Sequence, residues 1–215
     1  MLENFNEYMP LLLEGAKITV LLCVITLVFA LPLGIPFALG VRSRIKPIKY
    51  LCECYVLIFR GTPLLLQLWF FYYLFPMYLG IQVDEFETAA FAFVLNYAAY
   101  FAEIFRGGIA TIPQGQYEAA KVLKFNSIDT VRYIILPQVT KIVLPSVFNE
   151  VMSLVKDTSL VYALGISDLI LASRTAANRD ASLIPMFLAG AIYLLMIGIV
   201  TILAKKLEKK FSYYR

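Results

Sequence analysis

Residues 116–138 read Gln-Tyr-Glu-Ala-Ala-Lys-Val-Leu-Lys-Phe-Asn-Ser-Ile-Asp-Thr-Val-Arg-Tyr-Ile-Ile-Leu-Pro-Gln, the longest polar interruption in an otherwise apolar chain. The stretch has internal order. Pro113-Gln114-Gly115 breaks the helix before it, and Glu118 falls in the first turn of the next, where a negative charge suits the positive helix end. Ala119, Ala120, Val122 and Leu123 form a small apolar face, and Ala119-Ala120 leaves room for another surface to come close. Glu118 and Lys121 are spaced to pair at i, i+3. Such a helix has only about two turns and does not persist alone in water, so packing must hold it. Asn126-Ser127 offers an N-cap to a second helix with Asp129 in its first turn, and Pro137 bends that helix. Two readings fit: an interfacial amphipathic connector, or a docking element for something outside the chain.

Working outward, the class is plain. Of the 215 residues, 60% are hydrophobic and 16% charged, and the mean hydropathy is +0.76. Soluble domains carry about 45–50% apolar and about 25% charged residues. A spanning helix needs roughly 20 apolar residues, and five runs qualify: 11–39, 50–75, 88–105, 134–154 and 183–204. The first holds Pro32, Gly34 and Pro36; the second is interrupted by Arg60-Gly61-Thr62-Pro63. The expectation is an all-α membrane protein of about five spans, one transmembrane domain over 1–215, with a cytoplasmic helical loop at 113–133 between spans three and four. Glu3, Glu7 and Glu14 stand where a signal peptide has positive charge, so no removable leader is expected. Lys156-Asp157-Thr158-Ser159 ends the fourth run, with Asp157 read as structural, capping a short helix from Ser159, and a mixed segment follows to Ser182.

Charge gives the orientation. Arg42, Arg44, Lys46 and Lys49 follow the first run; Arg106, Lys121, Lys124, Arg132 and Lys141 surround the polar stretch; Lys205, Lys206, Lys209 and Lys210 close the chain. The loop 76–87 has Asp84, Glu85 and Glu87 and no Lys or Arg. The positive-inside rule then places the N-terminus outside and the polar stretch and C-terminus in the cytoplasm. The net charge of +4 follows from this topology and needs no nucleic acid.

Other classes lose ground. Histidine is absent, which removes the commonest metal ligand and proton shuttle. Cys23, Cys52 and Cys54 lie inside apolar runs without metal-site spacing and read as buried thiols. There is no nucleophile motif for a membrane enzyme, so catalytic and metal sites are expected to be absent. A stand-alone ion-coupled carrier or channel usually carries inverted repeats, and none is visible. No G-x-x-x-x-G-K-[ST] occurs, so an ATPase would have to be a separate subunit.

Two acids stand out within or near apolar runs, Glu103 and Glu150. Acids at membrane depth usually face an interior or a watery cavity. Glu103 shares a helix face with Asn96 and Tyr100, and Glu150 shares one with Ser153 and Asp157. Should the two faces meet, they form an anionic, hydrogen-bonding pocket. The competing reading is internal pairing, since Arg106 lies one turn from Glu103 and Lys156 could reach an acid on a neighbouring span. Asn96 could equally be glue between helices, Arg60 a kink and charge anchor, and the aromatic cluster from Trp69 to Tyr73 packing or an interfacial belt.

Glu118, Ala119, Ala120, Ile134, Leu136 and Pro137 fit in register the pattern Glu-Ala-Ala, three residues, Gly, nine residues, Ile-x-Leu-Pro. This resembles the EAA loop of ATP-binding-cassette importer permeases of the type I fold, with Lys124 where that family has Gly. The blocks Phe59 to Gln67, Tyr100 to Gly108, Ile112 to Gln116 and Leu154 to Leu160 resemble signatures of the polar amino-acid uptake permeases, and together they extend the likeness over nearly the whole chain. The resemblance implies a multi-pass permease subunit of the plasma or inner membrane that works by alternating access. It implies a cytoplasmic pair of ATP-binding subunits holding ATP-Mg, contacting Glu118, Ala119, Ala120, Leu123 and Lys124, and no cofactor in this chain. It further implies a second permease copy or paralogue and an extracytoplasmic substrate-binding protein. A pocket of Glu103, Glu150, Asn96, Tyr100 and Ser153 would suit a cationic amino acid such as arginine, lysine or histidine; glutamine, glutamate or another polar amino acid is the alternative.

Overall fold

The structure is a computed structural model that describes Leu2–Phe211, with side chains from Asn6 onward. Met1 and residues 212–215 of the expected 1–215 domain lie outside the described residues, as does the side chain of Glu3. The described residues are mostly helical and include no strand. The first helix, α1 (Leu2–Val41), starts well before the expected span at 11 and carries Pro10, Pro32 and Pro36 within it. Its early turns are held by packing: Tyr8, Leu12 and Ala16 bury against Leu169, Ala172 and Ala176 of α8 (Leu169–Asp180).

The expected second span is two helices, α2 (Lys46–Gly61) and α3 (Leu64–Tyr78), bent by 108°. The cause is local. Pro63 has no N–H to donate, and the residue before a proline is driven from helical to extended backbone; Thr62 accordingly sits at ψ 148. A break at membrane depth must find other partners for its freed carbonyls. Here Gln67 turns back, its Nε2 donating to Phe59 O at 3.0 Å and Thr62 Oγ1 at 2.8 Å. Asn96 of α4 (Glu85–Ala110) donates from Nδ2 to Phe59 O at 2.8 Å and to Gln67 Oε1 at 2.9 Å.

Helix α4 is the centre of the core. Asp84 caps it by accepting from Phe86 N at 3.0 Å, and Glu85 and Glu87 occupy its first turn. Ala89, Ala92, Phe93, Ala98 and Phe101 are buried in the main cluster with Leu22 and Ala30 of α1. At the crossing, a Cβ on Gly34 would stand 2.8 Å from Phe101 Cβ.

The polar stretch is folded as α5 (Gln114–Val122), the single turn α6 (Ser127–Asp129), a π-helical turn Thr130–Ile135, then α7 (Leu136–Asp157). The expected Asn126 cap is present, its side chain accepting from Asp129 N at 2.8 Å. Pro137 would clash with the carbonyl four residues back. The backbone widens instead, with Leu136 N bonding to Val131 O, a π-type bond. The helical path therefore begins at Ser127, not at 134, and runs on through a 3-10 segment Thr158–Leu164.

Two further corrections fall on the next segment. Asp157 makes no cap hydrogen bond to the 3-10 turn; it accepts from the Tyr97 hydroxyl at 2.7 Å. The mixed segment to Ser182 contains α8, capped by buried Asp168, which accepts from Ile170 N at 3.1 Å and Leu171 N at 2.9 Å. The last helix, α9 (Ile184–Phe211), closes the described chain. Four of the described helical stretches are long and apolar enough to span, five with the bent α2–α3 pair. Cys23 is buried as expected, but Cys52 is half-buried, packed against Gly40 of α1, and Cys54 is exposed.

Candidate functional site

The end of α2 and the last turns of α4 bring opposite charges together. Arg106 grips Glu103 with two bonds, Nε to Oε2 at 2.7 Å and Nη2 to Oε1. Arg60 approaches the same carboxylate at 4.0 Å, and its guanidinium lies 5.3 Å from the centre of the Tyr100 ring. With Glu53, these groups line a cavity of about 490 Å³. Glu103 thus has the internal partner that its spacing allowed, and Arg60 is a charge anchor at the kink.

Glu150 is different. It is half-buried on α7 and makes no hydrogen bond or ion pair within the described residues. Asp157 lies two turns further along the same face, roughly 10 Å of helix rise away, and each acid acts on Tyr97, which is 1% exposed. Arg60 is the cation that acts on Glu150. Ser153, one turn from Glu150, is half-buried. Lys156 makes no ion pair among the described residues. Asn96 is 3% exposed and its amide is committed to the α2–α3 break, which is the interhelical alternative. The expected constellation therefore divides into a paired cluster around Glu103 and an acidic face at Glu150, Ser153 and Asp157.

Two residues that sequence reasoning did not single out matter here. Tyr97 joins α4 to α7 through Asp157, and Gln67 stitches the broken span. Gln67 is a lone polar group in an apolar run, and Tyr97 sits beside Asn96 in another; that was the available signal. Among the aromatics, Phe71 stacks with Phe59 and Phe75, while Trp69, Phe70 and Tyr73 are exposed.

Beyond the end of α4, α5 turns Ala120 inward at 1% exposure and leaves Val122 and Leu123 outward at 81% and 68%. The four-residue apolar face expected there is thus split. Glu118 and Lys121 make no ion pair among the described residues. The cluster beneath is Ile112, Ile135, Val139 and Val143, with Tyr117 and Ile134 packed on it. Lys124 adopts φ +60. Its N–H donates to Lys121 O, and the Phe125 N–H donates to Ala120 O, both at 3.0 Å. These two bonds and the left-handed residue make a Schellman cap, which ordinarily ends in glycine.

Comparison with known proteins agrees with this architecture. A family profile described as "Binding-protein-dependent transport system inner membrane component" matches residues 30–213. The chain is 37% identical over 202 residues to the arginine transport system permease protein ArtQ of Bacillus subtilis (strain 168), covering 94% of this chain and 92% of that relative. It is 33% identical over 214 residues to GlnP of Rickettsia felis, named for a glutamine transport system permease role, covering 98% of each. An amino acid ABC transporter crystallised with histidines superposes with a TM-score of 0.86 at 31% identity, covering 96% of this chain and 97% of that one. The inward-facing MetNI methionine ABC transporter, at 17% identity, shares the fold with a TM-score of 0.78 over 94% of this chain and 97% of that one. The profile match and the near full-length relatives make this chain a member of the binding-protein-dependent transport system inner membrane component family, a multi-pass inner-membrane permease of the amino-acid ABC transporters.

Proposed function

We propose that this permease carries a cationic amino acid, arginine or lysine before histidine, and that the side chain's charge is met by the acidic face of α7. The observation that carries this reading is a local imbalance of charge. Glu103 and Arg106 neutralise one another. Arg60 lies 4.0 Å from that same Glu103 carboxylate, and Glu150 and Asp157 have no ion-pair partner among the described residues, which leaves negative charge over on the face of α7. A net monocation balances that excess, whereas a neutral amide leaves a carboxylate uncompensated in a low-dielectric setting, at a cost of several kcal/mol. Ser153 and Tyr97 supply the hydroxyls beside it. The arginine relative at 37% identity supports the same class, and the glutamine relative at 33% keeps the neutral alternative in view. Glu103, Tyr100 and Asn96 then shape and brace the wall of the path.

In this reading, α5 and the basic segments lie in the cytoplasm. A pair of ATP-binding subunits meets exposed Val122 and Leu123 beside Glu118, Ala119 and Lys124, a second permease copy or paralogue completes the path, and an extracytoplasmic binding protein delivers substrate. The ATP-Mg chemistry belongs to the partner ATPase. Uptake of labelled arginine, glutamine and glutamate by the reconstituted complex tests the substrate. The expected result is preference for arginine, lost in Glu150→Gln and largely kept in Glu103→Gln if the latter folds. Preference for glutamate, or arginine uptake unchanged in Glu150→Gln, overturns it. Glu118→Arg tests the docking side: it should leave the chain in the membrane but weaken co-purification of the ATPase.

A further inference from the structure

A second polar cleft lies where α5 meets the π-helical turn and α7. It encloses about 430 Å³ and is lined by Gln116, Tyr133, Pro137, Gln138, Lys141 and Ile142, among others. Lys141 is half-buried and belongs to the helical stretch Ser127–Leu164 that qualifies as a span. It lies five residues beyond Leu136, roughly 7 Å further along the helix. It makes no ion pair among the described residues, and no acid occurs in the sequence between Asp129 and Glu150. Asp129 is itself engaged by Asn126 Nδ2 at 2.7 Å. An ammonium at membrane depth needs a counter-anion or must snorkel to one.

The other cleft groups fit an anion that carries an apolar tail. Gln138 Nε2 is spent on Ile134 O at 2.7 Å, with Gln116 Oε1 at 3.5 Å. The Gln116 amide nitrogen and the Tyr133 hydroxyl make no bond among the described residues and remain donors. Arg132 stands at the rim, its guanidinium 5.5 Å from the centre of the Tyr133 ring. Beside these donors, Ile134, Pro137 and Ile142 give the same cleft an apolar lining, with Ile142 exposed at 42%. A phosphodiester with acyl chains satisfies both halves; a carboxylate on a soluble subunit satisfies only the first.

We infer that this cleft binds the headgroup phosphate of an anionic phospholipid of the cytoplasmic leaflet, with Lys141 as the direct contact and Arg132 at the rim. The inference rests on the orientation proposed above but not on which amino acid is carried. Its test uses the complete permease–ATPase complex in nanodiscs containing phosphatidylglycerol and phosphatidylcholine. Lipids retained after extraction are counted by native mass spectrometry. The wild type should retain phosphatidylglycerol selectively, with Lys141→Gln lowering retention about fivefold, Arg132→Gln by a similar or smaller factor, and Lys141→Arg restoring it. Equal retention of the two lipids, or no change in Lys141→Gln, overturns the inference. So does full displacement of the lipid by millimolar inorganic phosphate, which would mark a free-anion site, or loss of the ATPase from Lys141→Gln with lipid retention intact, which would mark a protein contact. Cysteine labelling of residue 142 from one side of the bilayer and arginine uptake, run on the same variants, report separately on orientation and on transport.

Discussion

Lys124→Gly isolates one backbone term at the coupling element. Lys124 sits at φ +60 in the cap that ends α5. A side chain in that conformation costs about 1 kcal/mol. Glycine removes the cost, but its greater freedom in the open chain gives back about 0.5 kcal/mol. The Lys124 side chain is exposed and makes no ion pair among the described residues, so nothing else is lost. The net is about 0.5 kcal/mol in favour of the closed cap, which lowers the open population about twofold. Because so short a helix does not persist unaided, this opening is local to α5 and does not need the spans to unfold. Hydrogen exchange at the amides of Leu123, Lys124 and Phe125, which donate to Ala119, Lys121 and Ala120, reads it directly. Exchange should slow about twofold in Lys124→Gly. It should stay near wild type in Lys124→Ala and quicken in Lys124→Val, whose branched side chain suits positive φ least. Faster exchange in the glycine variant, or a valine variant indistinguishable from alanine, refutes the reasoning.

Asn96→Leu removes the donor that reaches both Phe59 O and Gln67 Oε1; about 1–2 kcal/mol of stability should be lost, seen as a lower thermal midpoint in detergent. Gly108→Leu drives a side chain into Val143, which a Cβ at position 108 already meets, and should destabilise by about 1–3 kcal/mol, with Val143→Ala restoring part of it in the double variant. Asp180 is held below the ordinary 3.8 by its hydrogen bonds from Arg179 and Tyr8. Its contribution is therefore present above pH 3.8 and fades as pH falls through the lowered value. Asp180→Asn should flatten that part of the stability–pH curve, and the difference should shrink in high salt because the group is exposed.

Much of this fold was legible because the membrane constrains it so strongly. Apolar length, the Asn126 cap and the order Pro113-Gln114-Gly115 are local signals, and each produced the element it indicates. The Lys124 departure from the family's glycine is now intelligible: the position needs positive φ whichever residue stands there. Tertiary effects were not legible. Pro63 marks the break locally, but does not show that Asn96 of a different helix, with Gln67, would meet the carbonyls it frees. Helix α1 extends over polar residues because α8 covers it, and α8 was hidden in a segment of mixed composition. At the site, spacing allowed Glu103 either a pocket or a partner. Only side-chain geometry placed Arg106 and Arg60 on it, and only packing put Tyr97 against Asp157.

These contacts also differ in strength, and the difference has a mechanical consequence. Helices α4 and α7 are joined near α5 by the close approach of Gly108 to Val143 and by the cluster of Ile112, Ile135 and Val139. Further along they are joined again by Tyr97 and Asp157. If α5 is the docking element proposed above, a push on it would therefore be carried by the two helices together. Helix α2 meets the charged face of α4 more loosely, through Arg60 and Glu103 at 4.0 Å, with side chains 39% and 31% exposed. An ion pair of that kind contributes less than about 1 kcal/mol, and the cavity of about 490 Å³ lies beside it. Yet α2 is also tied to α4 by Asn96 Nδ2 on Phe59 O at 2.8 Å and by the Tyr55 hydroxyl on Leu95 O at 2.6 Å, so under the proposed function the exposed Arg60 side chain would move more readily than the helix that carries it.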